Sequence, residues 1–397
     1  MLDQLKKEVC ASVDRLAREL LDVSHEIHAH PELAFEEVRA SRLLAETARR
    51  RGLDARQDVY GLATAIEARF GAAGPTVALL SEYDALPGIG HACGHNIIAT
   101  TALGAALALA ELGARLPGRV RWLGTPAEER GGGKEIMARN GAFDGVDAAL
   151  MVHPSGANLA TMPCLAIAEL EATYFGVASH ASAMPERGVN ALDALVLAYQ
   201  GIAALRQHIR PTERLHGIIT DGGQAPNIVP ERAAGRFYVR AANAGELAPL
   251  KARVEGCFRA GAEATGARLE LVWGEVDYLD LDTSWPLANR YQANAESLGR
   301  AFFPYDKLPP GLQGSTDMGN VSQRVPSIHP MIASAPPNVS IHNAEFAKWA
   351  ASELGDRAVL DGAKALAMTA LDYICDESLR AEVARAFAQS QRSAGRG

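Results

Sequence analysis

Thr76-Val-Ala-Leu-Leu-Ser-Glu-Tyr-Asp-Ala-Leu-Pro-Gly-Ile-Gly-His-Ala-Cys-Gly-His-Asn96 decides the fold class. The aliphatic run Thr76–Leu80 reads as a strand, and it passes directly into Ser81-Glu-Tyr-Asp84. The apolar, alanine-rich stretch Ile97–Leu112 follows, with Ala99–Leu112 as its helical part. Its 16 residues fall short of the roughly 18–20 that cross a bilayer, so it reads as a buried helix. Working outward, Arg119–Leu123 and Ala148–Val152 are further strands, with a helical piece at Glu135–Asn140 between them. Strands alternating with helices predict an α/β architecture with a mostly parallel sheet. Each strand runs into polar residues: Ser81–Asp84, then Thr125-Pro-Ala-Glu-Glu129, then His153-Pro154. Open α/β sheets collect ligands outside the carboxyl ends of their strands, so acids and a histidine are expected along one edge.

From about Ala168 the texture changes. Short alternating segments (Glu171–Val177, Gly217–Thr220, Arg236–Arg240, Arg268–Trp273) surround two helical patterns, Ala191–Arg206 and Gly245–Ala264, which describes an α+β layer. After about Tyr278 helix-rich sequence returns at Trp285–Ala301 and Ala358–Tyr373. The expected organisation is a catalytic domain over 1–168 and 279–397, interrupted by a smaller α+β domain over 169–278. The tail from Ala386 to Gly397 is expected to fray, and Met1–Leu21 to form an amphipathic helix without a signal-like apolar core.

The 397 residues exceed one typical domain of roughly 100–200. Lys and Arg total 39 against 47 Asp and Glu, a net charge of −8 that repels phosphate backbones and anionic membranes. Neither nucleic acid nor membrane is therefore an expected partner. Five scattered cysteines, an odd number, make no disulfide framework and fit a reducing compartment, so the expected location is cytoplasmic.

The densest chemistry lies in Gly90-His-Ala-Cys-Gly-His-Asn96, where a thiol and an imidazole stand two apart in a glycine-containing loop ahead of the helix. Both ligate zinc and similar divalent metals. Alone, the pair equally suits a buried cysteine, Glu128-Glu129 a solvated loop, and His153 a core histidine. Together, Cys93, His95, Glu129 and His153 converge on a metal site. Adjacent carboxylates let Glu129 ligate while Glu128 faces a water. Two divalent cations would acidify that water and polarise a carbonyl, with Glu128 as general base: the chemistry of amide hydrolysis. A closed structural zinc is the competing reading, but such sites are usually local cysteine-rich knuckles.

Ser81–Pro87, His91–His95, Gly124–Glu129, Val152–Pro154 and Ile27-His-Ala-His-Pro-Glu-Leu-Ala-Phe-Glu-Glu37 together resemble, in order and over essentially the whole chain, the di-metal aminoacylase and carboxypeptidase G clan. The branch most similar holds auxin-conjugate amidohydrolases, p-aminobenzoyl-glutamate hydrolase and β-alanyl dipeptidase-like proteins. The resemblance implies that Cys93 bridges two metals, that His95, Glu129, His153 and His342 complete the sites, and that Glu128 is the general base. His342, in Ser340-Ile-His-Asn343 ahead of the last helix, is singled out only by the resemblance; His329 is the runner-up. Asp84 is implied as the acid that orients a ligand.

The resemblance also makes the inserted segment a lid or dimerisation domain, on Ser179-His180-Ala-Ser, Gly188–Asp193 and Gly222–Asn227. His180 would stabilise the oxyanion in a partner subunit's site, with Asn227 nearby. Arg240 is either a partner for a substrate carboxylate or a surface arginine. Thr316 and Asp317, in Gly314–Ser322, are either substrate contacts or loop-stabilising groups. Asn96, where many auxin-conjugate relatives carry aspartate, and the Gly314–Ser322 segment lean toward the aminobenzoyl-glutamate and β-alanyl dipeptidase side.

The implied enzyme is a homodimeric amidohydrolase that uses two divalent metal ions, zinc, manganese or cobalt. It would cleave an N-acyl, aminobenzoyl or β-aminoacyl amino acid or a dipeptide, and release the amino acid. A deacylase of a diamine or amino-sugar conjugate is the alternative. A catalytically dead binding relative would have lost Glu128 or a ligand, and none is missing.

Overall fold

The computed structural model of the chain describes residues 1–309 and 313–393. Chain order opens with α1 (Leu2–Ala29), α2 (Val38–Arg50), β1 (Arg56–Val59), β2 (Leu62–Gly71), β3 (Thr76–Ser81), α3 (His95–Ala110), β4 (Arg119–Gly124), α4 (Gly133–Arg139), β5 (Ala148–Leu150) and β6 (His153–Ser155). The middle of the chain supplies β7 (Ala166–Phe175), α5 (Ala191–Leu205), β8 (Arg214–Asp221), β9 (Arg232–Ala241), α6 (Ala244–Thr265) and β10 (Arg268–Trp273). The remainder holds α7 (Trp285–Ser297), α8 (Met318–Ser322), β11 (Ser327–Ile328), β12 (Met331–Ala333), α9 (Ala344–Trp349), α10 (Glu353–Cys375) and α11 (Glu377–Ser393).

These elements fall into two units, Met1–Pro163 with Leu281 onward, and Cys164–Asp280. The change-over lies a few residues outside the 169–278 expected from sequence. The reason is pairing: β7 already begins at Ala166, and Ile167 bridges Tyr278.

In the first unit the main sheet runs β1-β2-β4-β3-β5-β11, parallel from β4 to β11 and antiparallel at the β1-β2 edge. β3 is buried at every position, as a parallel strand covered on both faces must be. One face carries the core of α1, α3 and α10; the other packs Leu80, Leu123, Met137, Met151, Met318 and Val321. α3 is buried on nearly all sides because α1 and α10 flank it. Gly104 permits that crossing, since a Cβ there would stand 2.9 Å from Leu20 Cδ1 and 3.1 Å from Ala363 Cβ.

Two expectations need correction. The run Ala148–Val152 is not one strand: β5 stops at Leu150, and the chain resumes as β6, paired in parallel with β12. The tail does not fray from Ala386, because α11 continues to Ser393 with Leu379 and Val383 buried; residues 394–397 lie outside the described part. Among the described residues no helix is long and apolar enough to cross a membrane.

The second unit is an antiparallel sheet, β10-β7-β9-β8. α5 and α6 pack on it through Leu195, Ala198, Leu250, Val254 and Phe258 against Leu170, Tyr174, Phe237 and Val239. Both helices begin on asparagine caps: Asn190 Oδ1 accepts from the Leu192 and Asp193 amides, and Asn243 Oδ1 from Glu246.

Candidate metal centre

The adjacent parallel strands β3 and β4 end side by side, at Ser81 and Gly124. Beyond them the chain carries Glu82 and Asp84 from one strand, and Glu128 and Glu129 from the other. His153 opens β6, just after β5. The Cys93-Gly-His95 turn approaches Pro154 so closely that a Cβ on Gly94, whose φ is +77°, would stand 2.6 Å from Pro154 Cγ. Glycine meets both demands at that position. His95 is therefore the first residue of α3 and not a loop residue as the sequence suggested; the helix starts earlier because Gly94 turns the chain into it.

Cys93 Sγ lies 3.3 Å from His153 Nε2 and 3.3 Å from His342 Nε2. Ligand atoms of Cys93, His95 and His153 fall within 4.8 Å of one another, and so do those of Cys93, Glu129 and His342. The thiol is common to both groups. Glu129 completes the link, with carboxylate oxygens 3.7 Å from His95 Nε2 and 3.6 Å from His342 Nε2. A third group of the same compactness joins Glu82, His95 and Glu128. His95 Nε2 and Glu129 Oε1 are buried without a hydrogen-bond partner, an arrangement that costs free energy unless a cation satisfies it. Mixed sulfur, nitrogen and oxygen donors suit zinc and its neighbours among the divalent transition metals, so these residues fit such ions.

Each ligand is aimed by its other contacts. Asp84 Oδ1 lies 3.0 Å from His95 Nδ1, and Asp84 Oδ2 accepts the Glu129 amide at 2.9 Å, so one carboxylate orients two candidate ligands. His153 Nδ1 donates to Pro154 O at 2.7 Å, which turns Nε2 toward Cys93. His342 adopts a φ of +65° and donates its amide to Ala92 O at 2.9 Å. It precedes α9, with α10 and α11 still to come, so it does not stand before the last helix; Asn343 beside it caps α9.

The electrostatics are those of a buried acidic cluster. Burial, with Glu82 and Glu129 adjacent, raises Glu128 well above the usual carboxylate range. Burial also raises Cys93, with Glu129 adding to it, and lowers His153, with His329 adding to it. For His95 burial acts downward, but Cys93 and Asp84 outweigh it and hold the imidazole well above its ordinary value.

Lys134 was not marked by the sequence. Its side chain is fully buried, with Nζ 2.5 Å from Glu82 Oε1 and 2.6 Å from Asp317 Oδ1. It neutralises acids that would otherwise repel one another beside Glu128. The only cue was its position, directly after three glycines in Gly131–Lys134.

Thr316 is buried, and its Oγ1 accepts the Met318 amide at 3.1 Å. Asn96 Nδ2 donates to Ser24 Oγ and Ala350 O, so this amide ties α3 to α1 and to the end of α9. His329 lies outside the three ligand groups, with its ring 5.3 Å from that of His153.

His180, Asn227 and Arg240 belong to the second unit. His180 is exposed, and its Nδ1 accepts the Ala183 amide at 3.2 Å, which leaves Nε2 to carry the donor proton. Asn227 O accepts the Ala181 amide at 3.0 Å, so the His180 and Asn227 segments run together. Arg240, near the end of β9, sits over the Tyr238 ring at 5.9 Å. Burial lowers its pKa.

The chain is 42% identical to the Xaa-Arg dipeptidase of Mus musculus over 400 residues, 97% of this chain and 93% of that one. It is 35% identical to one of the chains of p-aminobenzoyl-glutamate hydrolase from Escherichia coli, over 63% of this chain and 56% of the relative. Among solved structures, a dinuclear metal-binding peptidase from Bacillus subtilis superposes with a TM-score of 0.69 at 20% identity, over 91% of this chain and 99% of that one. Residues 78–371 match peptidase family M20/M25/M40, and the chain belongs to that family.

Proposed function

We propose that this protein hydrolyses the amide bond of a dipeptide or N-acyl amino acid, releasing the amino acid, with two divalent cations held by Cys93, His95, Glu129, His153 and His342. The observation that carries this reading is the sharing of Cys93 Sγ between two ligand groups, with Glu128 buried alongside. Zinc, manganese or cobalt bound there would acidify a water and polarise the scissile carbonyl. Glu128, whose burial strengthens its hold on a proton, takes the proton of the attacking water as a carboxylate and returns it to the leaving amine. Asp84 keeps His95 in one tautomer and fixes the backbone at Glu129.

Across the proposed homodimer, His180 offers Nε2–H to the oxyanion developing in the partner subunit's site with Asn227 nearby, and Arg240 pairs with the substrate carboxylate. Thr316 is a further substrate contact in this reading. The relatives' names, Xaa-Arg dipeptidase and p-aminobenzoyl-glutamate hydrolase, support an amino acid as the leaving group and make dipeptides ending in arginine the first substrates to try. The second unit serves as a lid and joins a homodimer, and the enzyme works in the cytoplasm, where Cys93 stays reduced.

The test is amino-acid release from aminoacyl- and β-alanyl-arginine and -lysine, N-acyl amino acids and aminobenzoyl-glutamate. Release from at least one class is expected. No release from any class, by protein carrying two bound cations, would contradict the reading.

A further inference from the structure

The segment Ile27–Glu37 carries part of the family resemblance, yet the mechanism above gives it no task. Its last residue, Glu37, has a fully buried carboxylate. Oε1 accepts two backbone amides, Phe35 at 3.0 Å and Ala127 at 2.9 Å, and Oε2 accepts Thr64 Oγ1 at 2.9 Å. Both amide donors are non-glycine residues in the left-handed region, with φ of +66° at Phe35 and +60° at Ala127. Such backbone persists only where its surroundings over-determine it. Ala127 is gripped from its other side as well, because its carbonyl accepts the amides of Gly132 and Gly133 at 3.0 and 3.2 Å. The phenyl ring of Phe35 covers the same loop, lying where a Cβ on Gly131 would meet its Cε2 at 2.4 Å.

We propose that Glu37 is a positioning residue for the proton carrier: its carboxylate locks Ala127 in the left-handed turn that aims the next residue, Glu128. This rests on the reading of Glu128 given above. Misplacement of a reacting group by about 1 Å can cost roughly a hundredfold in rate.

Glu37→Ala is therefore expected to lower kcat about 10- to 100-fold while KM stays within about threefold, with as much metal bound per chain as in the wild type. Glu37→Gln keeps an oxygen for both amides and a group that Thr64 can meet, so it should stay within about threefold of wild type. Ala127→Gly is close to neutral alone, because glycine adopts that φ freely, and in the Glu37→Ala background it restores part of kcat. If Glu37→Ala does not fold, Glu37→Asp, one methylene short of the Ala127 amide, should show the same loss.

Unchanged kcat in Glu37→Ala or Glu37→Asp, a Gln variant as slow as Ala, no recovery from Ala127→Gly, or loss of the metals would overturn the proposal. Glu128→Gln measured alongside separates the two ideas. Full turnover in Glu128→Gln sinks the proton-carrier reading itself, whereas an inactive Glu128→Gln beside an unaffected Glu37→Ala sinks only the positioning role.

Discussion

At the scale of single residues, the site depends on one thiol. Cys93 belongs to two of the three compact ligand groups, so Cys93→Ala should reduce bound metal from about two per chain to well below one, and not merely remove one ion. Elemental analysis after gel filtration reads that ratio. Glu37 makes a second prediction. Burial, with Asp84 close by, pushes its carboxyl from 4.5 up to about 7. The folded value lies above the unfolded one, so the stabilisation is complete below about pH 4.5 and is lost as pH rises through 7. Glutamine has no such titration. In chelated protein, the stability of the wild type relative to Glu37→Gln should fall by about 2 kcal/mol between pH 5.5 and 7.5, as read by urea unfolding. The sequence made Cys93, His95, Glu128 and Glu129 legible because ligand and acid-base chemistry resides in residue type. Glu37 and Lys134 were not legible as supports, since a buried carboxylate and a solvated one are written with the same letter.

At the scale of elements, strands with an aliphatic run or an alternating apolar pattern were readable. β3, β4 and β10 lie where their hydrophobic patterns put them, because nothing in those runs competes with extended backbone. The edge strand β1 and its neighbour β2 carry no such pattern: Arg56–Val59 and Leu62–Gly71 are partly exposed and mixed in character, so tertiary pairing decides them. Lys134 joins α4 to the segment before α8 by binding Asp317, and both to Glu82 beyond β3. Lys134→Met strands two buried carboxylates next to Glu128 and should cost about 3–5 kcal/mol in urea unfolding. An unchanged midpoint would show that the ion pairs of Lys134 add nothing to stability.

At the scale of the whole molecule, the five candidate ligands and Glu128 all lie in the unit built from the two ends of the chain, while His180, Asn227 and Arg240 lie in the inserted one. In the proposed reading this division separates the metal ligands from His180, Asn227 and Arg240, while Thr316 stays in the unit of the ligands. His180→Ala should lower turnover about a hundredfold or more and leave the bound metal unchanged. Loss of metal in that variant would show that the inserted unit helps to hold the ions. The insertion was legible because a change from βα alternation to short alternating strands marks a new layer. The pairing of Ile167 with Tyr278, which sets its edges, is long-range and leaves no local signature.

The most direct test of a two-cation hydrolase centred on Cys93 is titration of chelated protein with zinc, manganese or cobalt while dipeptide hydrolysis is followed. Activity should be absent without cation and return in step with binding, saturating at about two ions per chain. Full turnover by the metal-free protein, or saturation at one ion, would contradict it.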